Sequence, residues 1–143
     1  MDWQEYFLKL ANLVASKSKD RSTKVGAVIV GPDNEIVSTG YNGFPRGVDD
    51  NVDSRHDRPE KYEWTEHAER NAIYNAARIG VSLKDTIIIQ TMYPCIDCAR
   101  GIIQSGIKEV VAPLPDFNHP QWGRSFMVST NMLAEAGVKV TVY

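Results

Sequence analysis

Apolar side chains recur at Trp3, Tyr6, Phe7, Leu10, Leu13 and Val14 in the opening segment WQEYFLKLANLVASK. That i, i+3, i+4, i+7 spacing predicts an amphipathic helix over residues 3–17. The pattern then changes. KVGAVIVGPDNEIVSTGYNG holds two β-branched runs, 25–30 and 35–41, around the turn formers GPDN, which predicts a β-hairpin. From residue 40 to about 64 no period survives, and glycines, prolines and acids predict a long loop of the kind usually kept for function. Beyond it, residues 66–79 read as a helix stopped by Gly80, and DTIIIQTM at 85–92 as a buried strand. CIDCARGIIQSG predicts a short helix ending at Gly106, KEVVAP a strand, GRSFMVSTNMLAEAG a helix closed by Gly137, and VKVTVY a last strand.

The predicted order is α-β-β-α-β-α-β-α-β. Strands alternating with helices imply an α/β fold of three layers, with a sheet covered on both faces, an antiparallel hairpin first and parallel neighbours later. No internal repeat or low-complexity tract interrupts the 143 residues, so a single domain over 1–143 is expected, long enough to bury one core without staples.

Composition narrows the function classes. The 43% hydrophobic and 24% charged fractions are those of an ordinary globular chain, and no run approaches the ~20 apolar residues of a membrane helix. The start, MDWQEYFLKL, is acidic and lacks the pattern of a secretion signal, so a cytoplasmic protein is expected. A net charge of −2 without a dense Lys/Arg block argues against a nucleic-acid partner. A small anionic substrate stays open, since one phosphate needs only a few local donors.

The chemistry concentrates in two short stretches. EWTEHAERNAIYN sets His67 at a predicted helix start, where a histidine taken alone is ordinarily a capping or surface residue. MYPCIDCARGI supplies Cys95 and Cys98 at the first turn of another helix, so both sulfurs can face one ion, and the helix N-terminus favours thiolates. C-x-x-C also suits a redox dithiol or half of a structural zinc site. A dithiol leaves His67 and Glu69 unexplained, and a structural site lacks further cysteines, since the chain has only two. His67, Cys95 and Cys98 together are three zinc ligands with a fourth position open, the composition of a catalytic zinc site. Glu69, two residues past the histidine, is close enough to move protons without binding the metal. H-x-E followed by P-C-x-x-C is the signature of zinc deaminases. One catalytic Zn2+ per subunit and hydrolytic deamination follow, with Glu69 as acid-base.

On these motifs and on KDRSTKVGAVIV (19–30), GYNGFPRG (40–47), HAERNAI (67–73) and IIQSGIKEVV (102–111), the chain resembles the deoxycytidylate (dCMP) deaminases of the cytidine deaminase superfamily. The resemblance runs from the first helix to the last strand. It implies a three-layer α/β/α cytidine-deaminase-like fold with a mixed five-stranded sheet, and conversion of dCMP to dUMP and ammonia in the supply of thymidylate. A homo-oligomer, commonly a hexamer, is also implied. Asn42 would sit beside the sugar, and Arg21, Ser22, Thr23 and Lys24 are the candidates for the phosphate. Tyr41, Gly43 and Arg46 are candidates for binding dCTP or dTTP as effectors; on its own composition a glycine-rich surface loop of this kind is more often simply a turn.

The chain departs from the family where Arg70 replaces a common leucine, with a role left open. A second, structural zinc is not expected, because only His56 and His119 remain as spare ligands. Tyr93 or Phe117 is the candidate aromatic beside the base. Alternatives are a deaminase of 5-methyl-dCMP or dCTP, or a catalytically weak nucleotide-binding regulator.

Overall fold

The computed structural model describes all residues, 1–143. Helix α1 (Trp3–Ala15) leads into the hairpin β1 (Gly26–Val30) and β2 (Ile36–Tyr41). There follow α2 (Lys61–Trp64), α3 (Ala68–Ile79), β3 (Ile87–Gln90), α4 (Ile96–Ser105), β4 (Glu109–Ala112), α5 (Gly123–Glu135) and β5 (Lys139–Val142). The five strands form one sheet in the order β2-β1-β3-β4-β5. β1 pairs antiparallel with both β2 and β3, whereas β3, β4 and β5 run parallel, so the sheet is mixed as expected.

Alternation along the strands divides the core. Ala27, Ile29, Ile88 and Val110 point to the face covered by α3, α4 and α5, with Ala72, Ile102 and Leu133 packed against them. Val28, Val30, Ile89 and Val111 point the other way, onto Phe7 and Ala11 of α1. These are the three layers. No helix is long and apolar enough to cross a membrane.

Two of the predicted features differ. The stretch predicted as a loop contains a 3-10 turn, Asp53–His56, and the single helical turn of α2, both too short to leave a period in the sequence. In α1 the buried residues are Phe7, Ala11 and Ala15, while Trp3 is 57% exposed and Leu13 66%. The reason is Gly26: a Cβ there would lie 2.0 Å from the Ala11 carbonyl oxygen, so the helix rests on the strand with only small residues between.

Gly40 makes the same kind of contact on the opposite face. A Cβ there would meet Ala72 N at 2.3 Å and Ala68 O at 2.4 Å, which is backbone and cannot swing aside. The first turns of α3 therefore lie directly on β2. Gly40→Ala is expected to cost about 3 kcal/mol, the upper range of ordinary overpacking, and to lower the urea midpoint accordingly.

Candidate functional site

His67 occupies the N-cap position of α3, but its side chain makes no capping bond. The residue before it is stapled to the hairpin end: Gly43 N–H donates to Glu66 O at 3.1 Å, and Glu66 N–H to Gly43 O at 2.8 Å. Cys95 is the N-cap of α4 and likewise leaves its side chain free of capping, while Cys98 lies one turn on, fully buried. Two helix N-termini thus converge. His67 Nδ1 stands 3.4 Å from Cys95 Sγ and 3.5 Å from Cys98 Sγ, and the three ligand atoms all lie within 4.8 Å of one another.

The donor set fits zinc. Tetrahedral bonds of ordinary Zn–N and Zn–S length put nitrogen and sulfur about 3.6 Å apart, close to the separations here. The charges fit as well. A hydrogen bond from Cys98 holds the Cys95 thiol down to about 4, against burial and with help from His67. Its partner Cys98 is pushed well above the ordinary thiol value by that same bond and by burial. For His67, burial acts to lower the pKa, but the bond to Cys95 and the nearby Glu69 outweigh it and raise it. The metal-free pair keeps one proton that an ion would displace.

Glu69 sits in the first turn of α3, 3% exposed, and accepts a hydrogen bond from Gln90 Nε2 at 3.0 Å. Burial pushes its pKa up, and the charge of His67 only partly opposes this. His67, Glu69 and Cys95 line one cavity of about 400 Å³, within the range of small-molecule sites. Aromatic side chains form much of its wall. Trp122 meets the His67 ring edge-on, with centroids 5.8 Å apart, and meets Tyr62 at 6.0 Å. Tyr93 also lines the cavity, its hydroxyl 2.7 Å from Thr130 Oγ1, whereas Phe117 is exposed and lies outside.

Of the residues singled out for substrate, Asn42 and Thr23 line the cavity. The Asn42 amide is already engaged: Oδ1 accepts from Val25 N–H at 2.9 Å and Nδ2 donates to Thr23 O at 2.8 Å. Ser22 stands behind the wall, its hydroxyl accepting from Lys61 Nζ at 2.8 Å and Arg58 Nη2 at 3.1 Å. Arg21 and Lys24 are not brought to the cavity. Arg21 pairs with Asp53 at 3.0 Å on the exposed side, and Lys24 is exposed just ahead of β1.

The cations that do reach the cavity are Arg58 and Lys61, in the segment without sequence period. Lys61 is 7% exposed and pairs with Asp20 at 3.2 Å. Burial would raise the Asp20 pKa, but the N–H groups of Thr23 and Ser22 and the Lys61 ammonium hold it below its ordinary value. Arg58 has no carboxylate partner; Nε donates to Tyr62 Oη at 2.7 Å, and that hydroxyl donates to Gln121 Oε1 at 2.8 Å. Lys61 and Tyr62, a cation and an aromatic just upstream of His67, were the signal available in the sequence.

Of the remaining candidates, His119 lines the cavity and the others lie elsewhere. Tyr41 and Gly43 line a second depression of about 140 Å³ with Lys17 and Lys19, while Arg46 is outside it and donates to Asn75 Oδ1 at 2.6 Å. His56 bonds Asp50 O at 2.6 Å and stacks on Phe44, and His119 Nδ1 accepts from the N–H groups of Gln121 and Trp122. Arg70 points away from the cavity and pairs with Glu66 at 2.6 Å and Asp97 at 3.6 Å, joining the first turns of α3 and α4.

Residues 1–114 match the family model for the cytidine and deoxycytidylate deaminase zinc-binding region. The chain is 47% identical over 141 residues to an uncharacterised deaminase of the luxG 3′ region in Aliivibrio fischeri, covering 97% of this chain and 92% of that one. It is 41% identical over 116 residues to human deoxycytidylate deaminase, a match covering 78% of this chain and 64% of the human enzyme. The crystal structure of dCMP deaminase from cyanophage S-TIM5 with dCMP and dUMP superposes with a TM-score of 0.80 at 27% identity, covering 98% of this chain and 96% of that one.

Zinc binding at this centre must expel the Cys98 proton, so affinity is expected to fall as pH is lowered from about 8 to 6. Calorimetry of zinc binding to the metal-free protein, in buffers of different ionisation enthalpy, should register release of at least one proton per ion. His67→Ala should retain no stoichiometric zinc.

Proposed function

The chain belongs to the cytidine and deoxycytidylate deaminase zinc-binding family, and on that premise we propose that it deaminates dCMP to dUMP and ammonia. The observation that carries the reading is one cavity lined by His67 and Cys95 of the metal-ligand triad, by the buried carboxylate of Glu69 and by the cations Arg58 and Lys61. Zinc held by His67, Cys95 and Cys98 supplies a water acidic enough to act as nucleophile near neutral pH.

The protein's own groups do the rest. Glu69, with its pKa raised by burial, is suited to take up a proton, to give it to the pyrimidine ring nitrogen, and to carry another to the departing ammonia. Trp122, Tyr62 and Tyr93 offer flat apolar surface to the base and keep bulk water from it. Asn42 braces the wall beside the sugar through its bonds to Val25 and Thr23.

For the 5′-phosphate we assign Arg58 and Lys61, with Ser22 and Thr23 beside them. Asp20 balances the Lys61 charge, so Arg58 is the uncompensated cation that a phosphate would meet. The reading extends to a homo-oligomer such as a hexamer, for which exposed Trp3, Tyr6 and Leu13 on α1 offer apolar contact surface. It also extends to dCTP or dTTP effectors at the depression beside Tyr41 and Gly43, and to work on the free cytoplasmic nucleotide pool.

The test is ammonia release by zinc-loaded protein from cytidine, CMP, dCMP, 5-methyl-dCMP, dCTP and adenosine. Preferred turnover of dCMP is expected, and preference for any other member of the panel overturns the substrate assignment. Glu69→Gln should keep its zinc and lose about 10³-fold or more in kcat. Arg58→Ala should raise KM for dCMP about tenfold or more, the value of a charge-assisted contact, with little change for deoxycytidine.

A further inference from the structure

Strand β3 reads Ile87, Ile88, Ile89, Gln90, and the glutamine is as deeply buried as the isoleucines before it, with 0% of its surface exposed. A buried amide is costly unless its polar atoms are engaged. Pairing sets Gln90 opposite Ala27, and the strand's two-residue alternation puts it on the same face as Ile88, beneath the first turn of α3. Both amide hydrogens are used there: Nε2 donates to Glu69 Oε2 at 3.0 Å and to Met92 O at 2.6 Å, while Oε1 has no partner.

The orientation of the amide is dictated by its surroundings. Turned over, it would press Oε1 against the Met92 carbonyl oxygen, two acceptors with no proton between them, and against Glu69 Oε2 as well whenever that carboxylate is ionised. The main chain is held too, since the Tyr143 hydroxyl donates to Gln90 O at 2.8 Å. Gln90 does not line the cavity, so whatever it does for a bound molecule it does through Glu69.

We propose that Gln90 is a positioning residue for the deamination: it pins Oε2 of Glu69 from below and so fixes the carboxylate in the orientation that presents Oε1 to the substrate. This assignment rests on the reading of Glu69 as the acid-base. A glutamate has three rotatable side-chain bonds, and a carboxylate that must meet two positions on the substrate in turn gains from having its swing removed beforehand. A fixed amide on a central strand does this without adding a charge to the site.

The test is Gln90→Met, which keeps the length and the unbranched shape and removes both donors. If Gln90 positions Glu69, the variant folds with an unchanged or higher thermal midpoint and full zinc content, and kcat falls about 100-fold, the cost of a small misplacement, while KM stays within about twofold. In the Glu69→Gln background the same substitution should change kcat by less than about threefold, since the group it positions is gone. A crystal structure of Gln90→Met should show the Glu69 carboxylate rotated. Retained kcat, an equal loss in both backgrounds, or an unmoved carboxylate overturns the proposal. If Gln90→Met does not fold, Gln90→Asn, which is polar but one methylene short, is read by the same criteria. The kinetic arms use whichever substrate of the panel is turned over, and the carboxylate orientation needs none, so failure of the dCMP reading is distinguishable from failure of this one.

Discussion

The seating of α3 on β2 is the constraint on which the site depends. Gly40 puts no side chain where strand and helix come closest, and Ala68, Ala72 and Ala76 keep the facing side of α3 small. Polar bonds fix the helix along the strand: Ser38 Oγ donates to Ala72 O at 2.7 Å, Asn71 Nδ2 to Tyr41 O at 2.8 Å and Asn75 Nδ2 to Thr39 O at 2.8 Å. The two asparagines also satisfy carbonyls of an edge strand that has no further neighbour. With its rotation and height set in this way, α3 has little freedom in where it puts His67 and Glu69.

The second half of the centre arrives on α4, which hangs from the end of β3. Arg70 joins the two first turns through Glu66 and Asp97, one ligand-bearing turn on each side. Arg70 and Glu66 are partly buried while Asp97 is half-exposed, and the use of the bridge lies in aligning the two turns. A methyl group at Gly101 would stand in ordinary contact with Ile73 and the aliphatic stem of Arg70, so α4 faces α3 just below the ligands. The result is a group of buried titratable side chains, each supported by an element whose own packing is independent of the chemistry.

Much of this was legible in the sequence, and the illegible parts share a cause. Strand and helix periods gave the five strands and four main helices, because burial on one face leaves a pattern that length and turn residues punctuate. The metal triad was legible because its spacing follows from the geometry of a helix N-terminus. Periodicity placed α1 and its inward-facing Phe7, Leu10 and Val14, but it missed Ala11 and Ala15, which contact with Gly26 requires, and it counted Trp3 and Leu13, which stand outside. It failed again for Arg58 and Lys61, since a single helical turn has no period and charge does not reveal which way a side chain faces. Arg21 and Lys24 carried the same charge as those two and turned outward. Gln90 passed unnoticed as one polar residue in a run of isoleucines.

The metal-ligand triad with its buried carboxylate and the groups suited to recognising a substrate belong to different parts of the chain. His67, Glu69 and Cys95 are anchored to the sheet through α3 and α4, while Arg58, Lys61 and Tyr62 line the cavity from the segment between β2 and α3. On the proposed reading, mutations in that segment alter what is admitted without disturbing the bonds that hold the triad and Glu69 in register. Such a division lets natural selection exchange one substrate for another by gradual steps, each of which leaves a working enzyme behind it.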